Sequence, residues 1–306
     1  MPRFNGLTAL GRTVDVVVAA SNSSNKDSAD YVCDGTADQT EINTALLAGR
    51  TVLLLPGTYS TTARIRTQQT RNILIGFGAT ISPVSDNAIF VYTDNAAGSA
   101  VSIEHTFCRL IGVTIADIRP TVNTINGVWI LASDFSMTQC DLTAMATGGG
   151  LGFVMSTGAS RARIYDNYFF GWGWCDVGRP EAGNPVPNIT DWMVSNNLFR
   201  QSGFWHVIVA GAALATGPRR GVIANNVMQH VELQHAIYCQ GGEITITGNV
   251  IDNCAQQGIR LGAGITGIGK HNYVVSGNVV RGCQDGIAIY GDIDGAVIVG
   301  NTVKAC

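Results

Sequence analysis

TGNVIDNC (247–254), SGNVVRGC (276–283) and VGNTVKAC (299–306) are one phrase written three times. Aligned on the Asn, the phrase extends backward through DNYF at Asn167, NNLF at Asn197 and NNVM at Asn226, then Asn249, Asn278 and Asn301, in steps of 30, 29, 23, 29 and 23 residues. Fainter copies lie upstream in IGFGATI around Ala79, IGVTIAD around Val113 and MTQCDLT around Asp141, which makes about nine units. A period of 20 to 50 residues marks a repeat architecture, whose units stack because none can bury its apolar face alone.

Within a unit the text is constant in kind. A short β-branched alternation such as EITIT (243–247) leads to the Asn corner, a second strand such as NVI (249–251), a turn, and a GIRLG-type segment (258–262) before a variable loop. Three short strands per repeat with no helical period describe an all-β, right-handed parallel β-helix, each coil about 4.8 Å above the last. The Asn residues are expected to occupy one corner, to take the left-handed backbone conformation there, and to bond amide to amide along the stack. Cys254, Cys283 and Cys306, each five residues beyond its Asn, are expected to form an inward stack of reduced thiols, since parallel side chains on successive rungs are poorly placed for a disulfide.

Composition agrees. Of 306 residues, 46% are hydrophobic and 13% charged, with 37 Gly, which suits many short strands joined by tight turns. A net charge of −3 gives no basic stripe, so neither nucleic acid nor an anionic membrane surface is expected as a partner. The longest early apolar run, 16–20, is too short for a signal-peptide core or a membrane span. Eight cysteines without a CxxC pair fit neither a disulfide framework nor a zinc ribbon.

One segment has a helical period. In DGTADQTEINTALLAG (34–49), Asp38 and Glu41 have capping-box spacing, Ile42, Ala45 and Leu46 share a face, and Gly49 suits the position after the last turn. This helix is expected to close the N-terminal end of the core. The organisation read from the chain is thus an N-terminal segment and capping helix over 1–50 and one β-helix domain over 51–306. The helix followed by TVLLLPGTY (51–59) resembles the N-terminal signature of the pectate-lyase-like superfamily, which comprises polysaccharide lyases, polygalacturonase-type hydrolases, epimerases and phage tailspike depolymerases. The resemblance implies a carbohydrate site in a groove on the first strand of each coil and its flanking turns. It is specific for fold and leaves the reaction open.

Taking GVWIL, LGFVM, WCDVG, FWHVIV, HAIYCQ, GIRLG and GIAIYG, with NAIFVY before them, as first strands with Ile and Leu inward, alternation puts Phe90, Trp129, Gly152, Asp176, His206, Tyr238, Arg260, Ala288 and Tyr290 outward. The turns feeding these strands add His230, Glu232, His235, Gln257 and Asp285, and the loops beginning at Gly178, Gly211 and Gly262 wall the cleft with residues such as Arg179 and Lys270. His206, Tyr238, Arg260, Asp176 and His235 are the candidate catalytic residues. Trp129, Phe90, Glu232, Arg179, Lys270, Asp285 and Tyr290 are the candidate substrate contacts. Trp172, Trp174, Trp192 and Trp205 are assigned to packing before sugar stacking.

The residue types point first to a lyase acting on an acidic, uronate-containing glycan: Arg260 neutralises the carboxylate, and His206, His235 or Tyr238 supply base and acid. A glycoside hydrolase needs two facing carboxylates, for which Asp176, Glu232, Asp285 and Asp292 are candidates. The third reading is a non-catalytic phage fibre or glycan-binding β-helix. No cofactor is expected. Calcium-dependent members carry clustered acidic ligands on the groove, whereas here the face offers Asp176 alone, so calcium is possible without support from an acidic cluster. The expected partner is a polysaccharide, the expected assembly a monomer or homotrimer, and the expected location extracellular or virion-associated, with no signal peptide in this sequence.

Overall fold

The computed structural model describes residues 14–83, 99–103, 105–117, 126–144, 150–179, 188–209, 217–262, 272–291, 293 and 295–306. The chain winds as a three-sided parallel β-solenoid with one short α-helix. One face stacks Ser136–Thr138, Arg163–Tyr165, Met193–Ser195, Arg219–Ala224, Gly242–Thr247, Asn272–Ser276 and Gly295–Val299 in parallel register. Its inward column, Met137, Ile164, Val194, Ile223, Ile246 and Val275, is uniformly apolar and buried. The face after the Asn corner presents Leu142, Phe169, Phe199, Met228, Ile251 and Val280 to the same core, with Phe169 and Phe199 stacked at 4.7 Å. Each such fully buried side chain contributes about 1.5–3 kcal/mol by leaving water, and a one-residue slip would turn a whole column out.

The number of rungs departs somewhat from nine. The sheet that precedes the Asn corner holds 12 strands among the described residues, because Val16–Ala19, Tyr31–Val32 and Thr51–Leu54, which lack the repeat phrase, join its start. The other two faces belong to one 17-stranded sheet, since Val250–Leu261 and Val279–Ile289 run across the corner between them.

The corner reading needs one correction. The residue with positive φ precedes the ladder Asn: Asp166 (57°), Asn196 (56°), Asn225 (55°), Gly248 (66°), Gly277 (63°) and Gly300 (64°). The two letters of GN, NN and DN thus divide the work. The first takes the strained bend, for which Gly, Asn and Asp are the tolerant types, and the second supplies the amide. In each link both the backbone N–H and Nδ2 of one Asn donate to Oδ1 of the Asn one coil on, at 2.9–3.0 Å, from Asn167 through to Asn301. Nδ2 also donates back to a carbonyl of the preceding coil, as Asn226 does to Val194 and Asn249 to Ile223. Every interior amide is therefore satisfied without water.

A second corner carries a different column of left-handed residues: Asp134, Arg161, Asp191, Arg220 and Glu243. Their charges alternate. Arg161 clasps Asp134 through Nε and Nη2, both at 2.7 Å, and Arg220 clasps Asp191 at 2.7 and 3.0 Å. These pairs are exposed, so their effect is on stacking order more than on stability.

The helix, Gln39–Ala48, buries Ile42, Ala45 and Leu46 in the main core as expected. Its ends differ from the sequence reading. Asp38 makes no cap bond to the helix; its two carboxylate oxygens accept from the Gly35 and Ser60 amides, both at 2.8 Å, tying the preceding loop to a strand. Gly49 is extended, with φ −139°, and is needed because a Cβ there would lie 2.7 Å from Val16 Cγ2. The cysteines are free, and Cys254 and Cys283 stack in register inside the coil, with Cys306 exposed beyond them.

The ladder predicts a graded response. Asn249→Ala orphans groups on both neighbouring coils and is expected to cost about 1–3 kcal/mol in urea unfolding. Asn301→Ala, with a partner coil on one side among the described residues, is expected to cost clearly less; equal losses would contradict the ladder's role.

Candidate functional site

Strand pairing gives the outward row of the first-strand face directly. It runs Trp129, Val154, Asp176, Ile208, Tyr238, Arg260 and Ala288, one residue per coil. Trp129, Asp176, Tyr238, Arg260 and Ala288 stand where alternation puts them. Gly152 does not, because the register shifts between Leu151 and Val154, and a Cβ on Gly152 would meet Cys175 Sγ at 2.9 Å on the core side.

His206 is the main correction. It lies just before Val207–Val209, its ring 5.7 Å from Phe199, and 2% of its surface is accessible. Burial depresses its pKa to about 3, which keeps the ring neutral. Ile208 occupies the row position, so His206 packs where the sequence reading placed a groove residue. Trp129 is also corrected as a sugar platform. Although on the row, it is fully buried with Leu151 and Val154, with Leu131 and Trp174 against them, in a small apolar cluster that roofs this end of the face.

Asp176 is likewise outward yet covered. It is 5% exposed, Arg179 Nη1 lies 3.7 Å from its Oδ2, and Oδ1 has no partner among the described residues. Burial outweighs Arg179 and the Trp174 hydrogen bond, raising its pKa to about 6. Arg179 is thereby drawn to Asp176. Phe90 and Lys270 lie outside the described residues.

The groups that the fold brings together lie further along the row. Arg260 is held between two phenol rings, its guanidinium carbon 4.9 Å from the centroid of Tyr238 and 4.5 Å from that of Tyr290. Among the described residues no carboxylate pairs with it, and its Nε is buried without a partner. Trp205 stacks on the far side of Tyr238 at 6.4 Å and 25°, and Trp174 meets Trp205 edge-on at 5.4 Å. The result is a continuous stripe, Trp205, Tyr238 and Arg260 half-buried and Tyr290 exposed, of aromatic faces around one cation. Trp172 and Trp192 are packing residues, 3% and 0% exposed, as expected of them.

The turn feeding these strands forms a second column. His235 is buried beside the stripe, its ring 5.6 Å from Tyr238 and its Nε2 3.2 Å from Arg260 Nη1. Gln257 stands one coil on and Asp285 the next, with Gln257 Nε2 donating to Asp285 Oδ2 at 2.7 Å. Glu232 is exposed in the same turn, its backbone N–H bonded to Ser202. Two residues escaped the sequence reading. Trp205 stacks on the groove row where packing is expected of it, and Gln240, whose amide donates to the Tyr238 hydroxyl, is absent from the row that alternation gives. Its signal was present in HAIYCQ, since a residue two beyond Tyr238 shares its face.

The grouping of potential ligand atoms among the described residues is Cys33, Asp38 and Glu41, at the helix end rather than on the groove, and both Asp38 oxygens already accept backbone amides.

The buried acid gives a pH signature. Folding raises the Asp176 pKa, so the stability it permits is fully present below about pH 4 and is lost as pH rises through about 6, at about 1.4 kcal/mol per pH unit. His206 acts oppositely, its stability complete above about pH 6.5 and lost toward acid. Asp176→Asn is expected to be more stable than the parent by about 2–3 kcal/mol near pH 7.5 and indistinguishable from it near pH 3.5, measured by urea unfolding at each pH. A constant difference across the range would mean that Asp176 is not held protonated.

Residues 186–306 match the family described as the right handed beta helix region. No curated protein sequence matches the chain. Among solved structures, the fold is similar to an alginate lyase from a Paenibacillus species, at 12% identity and TM-score 0.63, over 95% of this chain and 98% of that one. It is also similar to the enzymatically active domain of tailspike protein 2 of bacteriophage CBA120, at 11% identity and TM-score 0.54, over 86% of this chain and 40% of that one. A third is the A-module of a mannuronan C-5 epimerase from Azotobacter vinelandii, at 13% identity and TM-score 0.51, over 89% and 95%. With its parallel coils, corner Asn ladder and N-terminal helix, the chain has a right-handed parallel β-helix fold.

Proposed function

We propose that the protein is a polysaccharide lyase that cleaves an acidic, uronate-containing glycan by β-elimination on the first-strand face. The observation that carries this reading is Arg260, a guanidinium without a carboxylate partner among the described residues, fixed between Tyr238 and Tyr290 on the groove row. Removing the proton beside a uronate carboxylate places negative charge on that carboxylate, and a pre-positioned guanidinium lowers the cost of that charge. Tyr238 stands one coil away, about 4.8 Å along the face, which is the spacing at which a neighbouring atom of the same sugar is reached. The Gln240 amide donates to the phenolic oxygen and orients it, so that this oxygen takes the proton beside the carboxylate as its own proton passes to the leaving glycosidic oxygen, and Tyr238 ends the step as it began. Trp205 and Tyr290 offer aromatic faces on either side for sugar stacking. The similar solved structures, which include an alginate lyase and a mannuronan epimerase, agree with an acidic glycan.

The second reading is hydrolysis, favoured by Asp176. A carboxyl protonated up to about pH 6 has the character of a general acid. Its weakness is position, because Asp176 is buried under the apolar cluster and paired with Arg179.

Absorbance near 235 nm during incubation with pectate, alginate and hyaluronan, with and without a chelator, decides between them. A rising signal is expected from the unsaturated uronide on at least one polymer; new reducing ends without absorbance would transfer the chemistry to Asp176. With the active polymer, Tyr238→Phe and Arg260→Met are each expected to lower the rate at least about a hundredfold with little change in thermal unfolding. His206→Ala, by contrast, is expected to act through stability, as a buried ring beside Phe199.

A further inference from the structure

The repeated phrase ends in cysteine on three successive coils, and the first-strand face uses none of these thiols. Cys254, Cys283 and Cys306 each follow a left-handed corner residue: Asn253 at 63°, Gly282 at 63° and Ala305 at 51°. Equal corners launch side chains in equal directions. Cys254 and Cys283 are paired in register, and Thr302–Lys304 continues that register from Val279–Ile289 toward Cys306. Cys283 Sγ and Cys306 Sγ both point at the carbonyl two residues back, at 3.5 and 3.4 Å. Neighbouring sulfurs are therefore offset by one coil rise, about 4.8 Å. The two preceding coils place Ser202 and Val231 in the same column, so the corner itself does not demand a thiol.

A column of thiols differs from a cluster. Each sulfur has a neighbour above or below it, and among the described residues no His or carboxylate closes a three-ligand set with them. Asp252, two residues before Cys254, is engaged by Arg281 Nη2 at 3.2 Å. Of the metals that soft thiolates select, zinc and iron–sulfur clusters need converging ligands, which leaves copper(I). An ion that takes two sulfurs in line, with bonds of about 2.3 Å each, spans about 4.6 Å, close to the coil rise. Binding displaces the thiol protons to solvent and changes no oxidation state. Cys283 ionises most readily of the three: the Cys254 thiol above all, with Cys306 adding to it, lowers its pKa against the effect of burial.

We propose that Cys254, Cys283 and Cys306 form a linear, two-coordinate site for a soft monovalent ion of the copper(I) class, with Cys283 as the shared ligand. Cys254 and Cys283 are buried and Cys306 is exposed, so an incoming ion meets Cys306 first. A bridge from Cys283 to either neighbour ties consecutive coils together on the inside of the corner that leads to Arg260 and Tyr290. The site stands apart from the groove and from the reaction proposed there.

The test offers copper(I), without air, to the full reduced chain in competition with a chromophoric copper(I) chelator. The parent is expected to withdraw the ion, and X-ray absorption at the copper edge is expected to show two sulfur ligands and no nitrogen or oxygen. Cys283→Ser is expected to lower the affinity at least about a hundredfold, because it breaks both bridges, and Ser202 shows that the column accepts a hydroxyl. The double variant Cys254→Ser, Cys306→Ser keeps Cys283 without either partner and is expected to match that loss, which covers the case of Cys283→Ser folding poorly. Cys306→Ser alone is expected to lose less, since the Cys254 and Cys283 pair remains. Cys175→Ser, at a buried thiol in register with Val207, is expected to bind as the parent does. No withdrawal of copper(I), unchanged affinity in the double variant, or three or more ligands at the copper edge overturns the site. A loss confined to Cys306→Ser does so too, because it marks an adventitious surface thiol only.

Discussion

The structure depends on the amide-to-amide ladder at the corner before each repeated second strand. A parallel coil has weak local preferences, because its strands are short and its contacts are almost all one turn away. The ladder removes that freedom: each Asn accepts two bonds from the coil below and gives two to the coil above through its backbone N–H and Nδ2, with a further bond back to a carbonyl. Register set at that corner propagates in both directions, into the apolar columns on either side and to the first-strand face that follows. The alternating Asp and Arg column at another corner repeats the constraint on the outside, since a slip of one coil would bring like charges together.

The groove is a consequence of that register. Once the coils are fixed, one residue per turn stands outward about 4.8 Å from the next, and the chemistry of the face is the text of a single row. Its early part is closed by Trp129, Leu151 and Val154, and Asp176 beneath that cover is pushed toward its protonated form. Its later part is open and carries the Tyr238–Arg260–Tyr290 stack. The same stacking that makes a solenoid stable thus holds a cation in a fixed plane between two rings, with little freedom left to lose on meeting an anion.

Much of the candidate site was legible from alternation, and the failures share one cause. Asp176, Tyr238 and Arg260 fall on the row because their strands are regular. Gly152 and His206 do not, since a register shift precedes Val154 and His206 sits in the corner before its strand begins, where period-two reasoning has no hold. The burial of Trp129 was unreadable for a different reason: outward describes a direction from the backbone, and the cover comes from Leu131, Leu151 and Trp174, which are near only after coiling. The partnership of Gln240 with Tyr238 lay within reach of the strand period, but that of His235 with Arg260 joins residues 25 apart in sequence.

By itself the sequence determined the repeat, the coil, the corner Asn ladder, the closing helix and the polarity of most of the groove row, because each of these follows from local spacing and residue type. Tertiary structure alone decided which outward residues are covered, which residue of each corner pair takes the left-handed bend, and what Asp38, Gly49 and His206 do. Those outcomes turn on contacts between coils and on the approach of one backbone to another, and neither is encoded in the order of residues along one strand.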